Sequence, residues 1–471
     1  MKAFAAASAV LGLALAIAAR ADTPPAPAPL PPEDATRDQA APGGMPAMPA
    51  ASARALPDGV DPALVARGEY LARAGDCVAC HTAKGGKPFA GGLPMQTPVG
   101  TLYSTNITPD KTGIGSYRFE DFDNAVRHGI AKGGGSLYPA MPYPSYARVG
   151  DEDMRALYAY FMHGVEPVAQ DNRDSDIPWP LSMRWPLTPW RWMFAPKVEP
   201  FALATGQDPV LARGAYLVEG LGHCGACHTP RGLGMQEKAL SATDGDAYLA
   251  GGAPLEGWIA KNLRGDHKDG LGGWSEAQLV SFLRTGRSER SAVFGGMSDV
   301  VVHSMQYMSD DDLVAIARYL KSLPPRNPEN PPYVYDRQVS DALWRGDDSR
   351  PGASVYVDNC SACHRTDGQG YKRVFPALAG NPVVQTEDPS SLINLVLKGG
   401  TLPPTHRAPS YFTMPPFGWR LNDEQVAAVV TFIRGSWGNQ GAAVTAEQVR
   451  DLREALPTTT SGDDLGQGTG G

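Results

Sequence analysis

Cys77-Val78-Ala79-Cys80-His81, Cys224-Gly225-Ala226-Cys227-His228 and Cys360-Ser361-Ala362-Cys363-His364 decide how this chain is to be read. Two thiols three residues apart on one helical turn can both reach the vinyl groups of one porphyrin. The histidine that follows then lies under the iron as its proximal ligand. A single C-x-x-C could equally be a thioredoxin-like redox pair or half of a zinc site. Here all 6 cysteines of the chain fall inside C-x-x-C-H motifs, which leaves none for a disulfide or a free thiol. Three covalently bound haem c groups are expected, on Cys77, Cys80 and His81, on Cys224, Cys227 and His228, and on Cys360, Cys363 and His364.

Around each motif the same pattern recurs, and such a repeat governs every other assignment. A short helical segment leads in: Leu64–Leu71, then Leu211–Leu217, then a weaker copy at Gly352–Tyr356. A capped amphipathic helix closes each unit, at Asp151–Phe161, Ser309–Leu320 and Asn422–Ile433. Their acidic first turns suit a helix N-terminus, and the apolar spacing gives one buried face. Gly- and Pro-rich loops fill the middles, and no segment reads as a convincing strand. The expectation is an all-α chain with domains at 59–168, 206–326 and 350–440. Linkers cover 169–205 and 327–349, a Pro/Ala-rich tether covers 22–58, and a disordered tail covers 441–471. The first linker holds Trp179, Trp185, Trp190 and Trp192, which either pack between domains or form a contact patch.

An electron-carrying haem c usually takes methionine as its second axial ligand. Met141 lies in Pro139-Ala140-Met141-Pro142 and Met414 in Thr413-Met414-Pro415-Pro416, each shortly before a closing helix. The middle unit offers Met297, Met305 and Met308. Met305 and Met308 crowd the closing helix, whereas Met297 follows Thr285-Gly286-Arg287 by about the interval at which Met141 follows His128-Gly129-Ile130, so Met297 is chosen and Met305 kept as runner-up. The competing reading is that all are core packing. The other histidines, His223 beside Cys224 included, are taken as surface or core residues. No Ser/His/Asp set and no phosphate-binding glycine loop is present, so no catalytic residue is assigned.

With 471 residues, 42% hydrophobic and 20% charged, the composition is that of a globular protein of about three domains. Lys2, the apolar run Ala3–Ala19 and Ala19-Arg20-Ala21 before Asp22 read as a cleaved export signal over 1–21. An uncleaved anchor is the alternative, but the run is alanine-rich and short for a span. Cleavage leaves 40 basic against 50 acidic residues, a charge of −10, which argues against nucleic acid as a partner. The mature chain is expected to be periplasmic, peripherally associated with the cytoplasmic membrane.

Thr105-Asn106-Ile107-Thr108-Pro109-Asp110, Thr112-Gly113-Ile114-Gly115, Leu137–Tyr143, Phe294-Gly295-Gly296-Met297 and the Trp-Pro-Leu linker together resemble the cytochrome c subunit of membrane-bound periplasmic dehydrogenases. That family includes the alcohol, gluconate, sorbitol and fructose dehydrogenases. The resemblance covers about residues 60 to 440. It implies three tandem class I cytochrome c-like domains and Met297 as the second iron's ligand. It also implies a large PQQ- or FAD-dependent dehydrogenase subunit that oxidises an alcohol, sugar or sugar acid, and electrons passing through three haems to ubiquinone or a terminal oxidase. The chain itself would be a non-catalytic electron-transfer subunit. Alternatives are a free-standing periplasmic shuttle, the cytochrome of a molybdenum hydroxylase, or a haem enzyme with one five-coordinate iron.

Overall fold

The computed structural model describes residues 56–202, 206–255 and 257–456. The expected export signal, most of the tether and the end of the tail lie outside them.

The first repeat opens with α1 (Pro62–Ala74), whose start is set by Asp61: its carboxylate accepts the Ala63 N–H, and Pro62 supplies a preset φ. The motif turn α2 (Cys77–Cys80), the hairpin β1 (Pro94–Thr97) and β2 (Gly100–Tyr103), α3 (Phe119–His128), α4 (Tyr143–Tyr146) and the closing helix α5 (Asp151–Ala159) follow. A strap containing α6 (Leu187–Phe194) leads to the second repeat. That repeat runs α7 (Pro209–Ala215), α8 (Gly225–His228), β3 (Pro254–Leu255), β4 (Trp258–Ile259), α9 (Glu276–Thr285), α10 (Gly296–His303) and α11 (Asp310–Ser322). After α12 (Gln338–Trp344), the third repeat has α13 (Ala353–Asn359), α14 (Ser361–His364), α15 (Pro382–Gln385), α16 (Ser390–Lys398), β5 (Gly400–Leu402), β6 (Phe412–Met414) and α17 (Asp423–Arg434).

The expectation of no strands needs correcting. Each repeat carries one antiparallel two-stranded ladder, such as Pro94 opposite Tyr103 in β1–β2. Strands of two to four residues are too short to display an alternating pattern in sequence.

In every repeat the opening and closing helices cross at a glycine. A Cβ on Gly68 would land on the Ala156 carbonyl oxygen, one on Gly214 on that of Ala315, and one on Gly352 on that of Ala428. Four residues beyond each carbonyl stands an aromatic, Tyr160, Tyr319 or Phe432, whose Cβ also borders the glycine. Glycine is therefore needed for backbone-to-backbone approach, and Gly352 additionally holds φ at +84°.

One continuous apolar core joins the first two repeats. Leu71, Val149, Met154 and Leu157 pack in the same cluster as Leu217, Val218, Leu221, Leu313 and Ile316. The third repeat builds its own core around Tyr356, Ile393, Val430, Phe432 and Trp437. A small cluster of Val293, Val301 and Leu402 spans the boundary between the second and third.

The first two repeats also meet through a reciprocal polar contact. The Tyr70 hydroxyl donates to Asp312 Oδ2 (2.5 Å), and the Tyr216 hydroxyl donates to Asp153 Oδ2 (2.5 Å). Each aspartate, in the first turn of a closing helix, is also held by its own repeat's arginine: Arg67 Nε to Asp153 at 2.7 Å and Arg213 Nε to Asp312 at 2.7 Å. Residue i meets j while j's counterpart meets i's, as in an isologous dimer interface.

The tail is the second correction. Disorder was expected from 441, yet α18 (Ala446–Ala455) packs on the third repeat with Val449 fully buried. Thr445 and Gln448 form a capping box. Arg453 pairs with Asp423 (2.8 Å), and the buried Arg434 guanidinium reaches the Ala442 carbonyl (2.7 Å) and the Val384 carbonyl (2.9 Å). The Gly- and Thr-rich end of the chain hid this short helix from a composition-based reading.

Candidate haem-binding sites

All three motifs fold as a single helical turn. The His81 N–H donates to the Cys77 carbonyl (3.0 Å), His228 to Cys224 (3.0 Å) and His364 to Cys360 (2.9 Å). An i to i+4 closure places both thiols and the imidazole on one side. The turns are entered alike in the first two repeats, where Asp76 (φ +49°) and His223 (φ +38°) adopt the left-handed conformation just before the first cysteine. The third repeat departs from this: its positive-φ residue, Arg365 (φ +63°, ψ 163°), follows the histidine and is not in the left-handed helical conformation of Asp76.

The histidine rings are each fixed by one bond. Nδ1 of His81 lies 2.7 Å from the Thr105 carbonyl, that of His228 2.7 Å from the Lys261 carbonyl, and that of His364 2.9 Å from the Pro376 carbonyl. A carbonyl can only accept, so Nδ1 carries the proton and Nε2 keeps its lone pair. That is the tautomer and the backing bond a metal-ligating imidazole requires. Burial also lowers all three imidazole pKa values, which keeps the rings neutral near pH 7.

Two of the accepting carbonyls, those of Thr105 and Lys261, are each followed by an asparagine that fixes the local loop. Asn106, directly after Thr105, accepts the Thr108 N–H (2.9 Å) and donates to the Val168 carbonyl (2.8 Å). Asn262, directly after Lys261, accepts the Arg264 N–H (2.9 Å) and donates to Asp266 (2.8 Å). The sequence reading missed this role. The resemblance alone marks Thr105–Asp110, whereas Lys261-Asn262-Leu263-Arg264-Gly265-Asp266 followed by Gly270-Leu271-Gly272 repeats it in the second unit. Aligning the two Asn-x-x-x-Asp runs would have revealed it. Pro376 has no such asparagine after it, so the third acceptor carried no signal.

The candidate methionines sit on comparable segments. In each repeat a middle helix (α3, α9, α16) ends on a positive-φ glycine, Gly129, Gly286 or Gly399. Met141 comes 12 residues after the first, Met297 11 after the second and Met414 15 after the third. All three are partly buried against the cores, Met297 near the start of α10 and Met414 at the end of β6. Met305 and Met308 are buried core residues. The His223 ring donates from Nδ1 to the Leu221 carbonyl (3.1 Å) and stacks edge-on to Tyr146.

The donor set therefore fits haem c: in each repeat two unpaired thiols on one turn beside a neutral, oriented imidazole. Bound there, haem c supplies one-electron redox chemistry at iron. The chain's own part is to tether, orient and shield it.

These features define a c-type cytochrome. The cytochrome c family pattern matches residues 65–164, 211–324 and 349–437, and the chain belongs to that family, whose members bind haem c covalently and carry electrons. It is 66% identical over 401 residues to the gluconate 2-dehydrogenase cytochrome c subunit of Pantoea cypripedii, covering 84% of this chain and 91% of that one. It is 57% identical over 417 residues to the alcohol dehydrogenase (quinone) cytochrome c subunit of Gluconacetobacter polyoxogenes, covering 88% and 89%. The fructose dehydrogenase cytochrome subunit of Gluconobacter japonicus is 38% identical over 410 residues, covering 83% and 82%.

Proposed function

We propose that this chain is a triheme electron-transfer subunit, exported to the periplasm, that accepts electrons from a dehydrogenase subunit acting on an alcohol, sugar or sugar acid and passes them to ubiquinone or a terminal oxidase. The carrying observation is the threefold Nδ1–carbonyl bond behind a C-x-x-C-H turn. The named dehydrogenase subunits to which the chain is similar over most of its length support the donor. Three class I domains each hold one haem through Cys77 and Cys80, Cys224 and Cys227, or Cys360 and Cys363. The irons take His81 and Met141, His228 and Met297, and His364 and Met414. With both axial positions filled, no iron offers an open site for substrate.

Gentle purification from native membranes, with mass spectrometry of what accompanies the chain, is the test. A stoichiometric dehydrogenase subunit and a mass increment of three haems are expected. A lone cytochrome under several mild detergents would favour the free-standing shuttle. Strong stoichiometric CO binding by the reduced native protein would overturn the six-coordinate assignment.

A further inference from the structure

We propose that the strap joining the first two repeats is an interfacial anchor that lays Trp179, Trp185 and Trp192 into the headgroup layer of an anionic bilayer. The strap is a run of turns leading into α6: the Ser182 N–H donates to the Pro178 carbonyl (3.1 Å) and the Thr188 N–H to the Trp185 carbonyl (3.1 Å). Its side chains divide sharply. Inward, the Trp190 indole N–H donates to the Gly234 carbonyl (2.6 Å), Thr188 bonds Ser136 (3.0 Å) and Arg191 reaches the His128 carbonyl (3.3 Å). Outward, Trp179 is 80%, Trp185 68% and Trp192 74% exposed, with Leu181, Met183 and Met193 exposed beside them. Leu233 and Met235, flanking the Gly234 that receives the Trp190 bond, extend this apolar surface from the second repeat.

Charge selects the occupant. The chain as a whole carries −8, yet residues 177–198 hold Arg184, Arg191 and Lys197 and no carboxylate, the nearest in sequence being Asp176, which is paired with Arg173, and the exposed Glu199. Arg184 and Lys197 are exposed. An acidic protein can approach an anionic surface only through a face of opposite sign. Indole rings and methionines between cations are the composition that partitions into the interface. No helix among the described residues is long and apolar enough to cross a membrane, so contact through this part of the chain would be peripheral. This inference is independent of the electron-transfer reading, since a cytochrome that ignored lipid would still bind three haems.

The full-length haem-loaded protein is sedimented with vesicles of phosphatidylglycerol and phosphatidylcholine, or of phosphatidylcholine alone, and followed by haem absorbance. Binding to the anionic vesicles, weakened by salt, is expected. Trp185→Ser with Trp192→Ser should lower the partition by at least about tenfold. Arg184→Gln with Lys197→Gln should remove only the preference for anionic lipid. Trp344→Ser with Trp419→Ser, at equally exposed positions (80% and 81%) outside the strap, should change nothing. If the double tryptophan variant does not load haem, Trp192→Ser alone replaces it. Wild-type protein that stays in the supernatant overturns the proposal. So does a strap variant that binds vesicles normally but releases a co-purifying dehydrogenase subunit, because the strap would then belong to a protein contact.

Discussion

At the scale of single residues, a ring-to-carbonyl bond marks a ligand only where the histidine closes a C-x-x-C turn, since His223 makes one as well, and the methionines of the second repeat give the sharpest test. Met297 sits only partly buried at the head of α10, whereas Met305 is 6% exposed inside the shared core. Met297→Ala should convert one haem of three to a CO-binding, high-spin form with little loss of stability. Met305→Ala should keep the six-coordinate spectrum but cost about 2–5 kcal/mol through the cavity it leaves. The reverse outcome, read by CO difference spectra and urea unfolding, would hand the axial position to Met305. Glu237 supplies a pH test. Its Oε2 is buried without a partner, Arg231 approaches only to 3.8 Å, and burial pushes its carboxyl up to about 7. The folded state thus holds this proton between roughly pH 4.5 and 7 while the unfolded chain has released it, so stability falls as pH rises through that window. Glu237→Gln should be nearly neutral at pH 4 and stabilising, on the order of 2 kcal/mol, at pH 8, as melting temperatures at the two pH values would show. The cysteines and histidines of these sites were legible because their spacing is fixed by one helical turn. The carbonyls of Thr105, Lys261 and Pro376 were not, because a backbone acceptor leaves no residue type to recognise.

At the scale of elements, the helices that open and close each repeat were legible from capping residues and apolar period, since both are local properties. The hairpins, the strap helix α6 and α18 were not. The ladders are shorter than one alternation needs, α6 buries none of its residues fully, and α18 shows a capping box but lies in a stretch whose bulk composition is polar. What no propensity could show is the crossing itself, which depends on a glycine meeting a carbonyl far away in sequence. Gly214→Ala should force α7 off α11 and cost about 1–3 kcal/mol or more. The same change at Gly150, where a Cβ would meet nothing within 4 Å, should stay within about 0.5 kcal/mol. Chemical denaturation of the two variants side by side checks this. Equal stabilities would mean that the helices slide apart freely, and the close approach would then be incidental rather than a requirement of the fold.

At the scale of the whole molecule, three copies of one motif do not make three equal units. The first two repeats share an apolar core and exchange Tyr70–Asp312 for Tyr216–Asp153, so neither can unfold without exposing the other's buried face. The third has its own core and meets the second mainly through polar bonds. Arg287 donates to the Ser410 carbonyl (2.7 Å) and the Ala408 carbonyl (3.2 Å), Lys261 to Thr386 (2.9 Å), and the Ser391 hydroxyl accepts the Ile259 N–H (2.9 Å). Calorimetry of the haem-loaded chain should therefore resolve two transitions, one for the first two repeats together and one for the third. Tyr70→Phe and Tyr216→Phe remove equivalent bonds to aspartates that keep their arginines, so each should lower the joint transition by a similar amount, worth about 1–2 kcal/mol, and leave the other in place. Arg287→Ala should instead lower the transition of the third repeat, because it removes bonds to the Ala408 and Ser410 carbonyls without touching the shared core. A first repeat that melts alone, or Tyr70→Phe and Tyr216→Phe variants that differ widely, would mean that the reciprocal contact is a surface decoration and that each repeat stands on its own core.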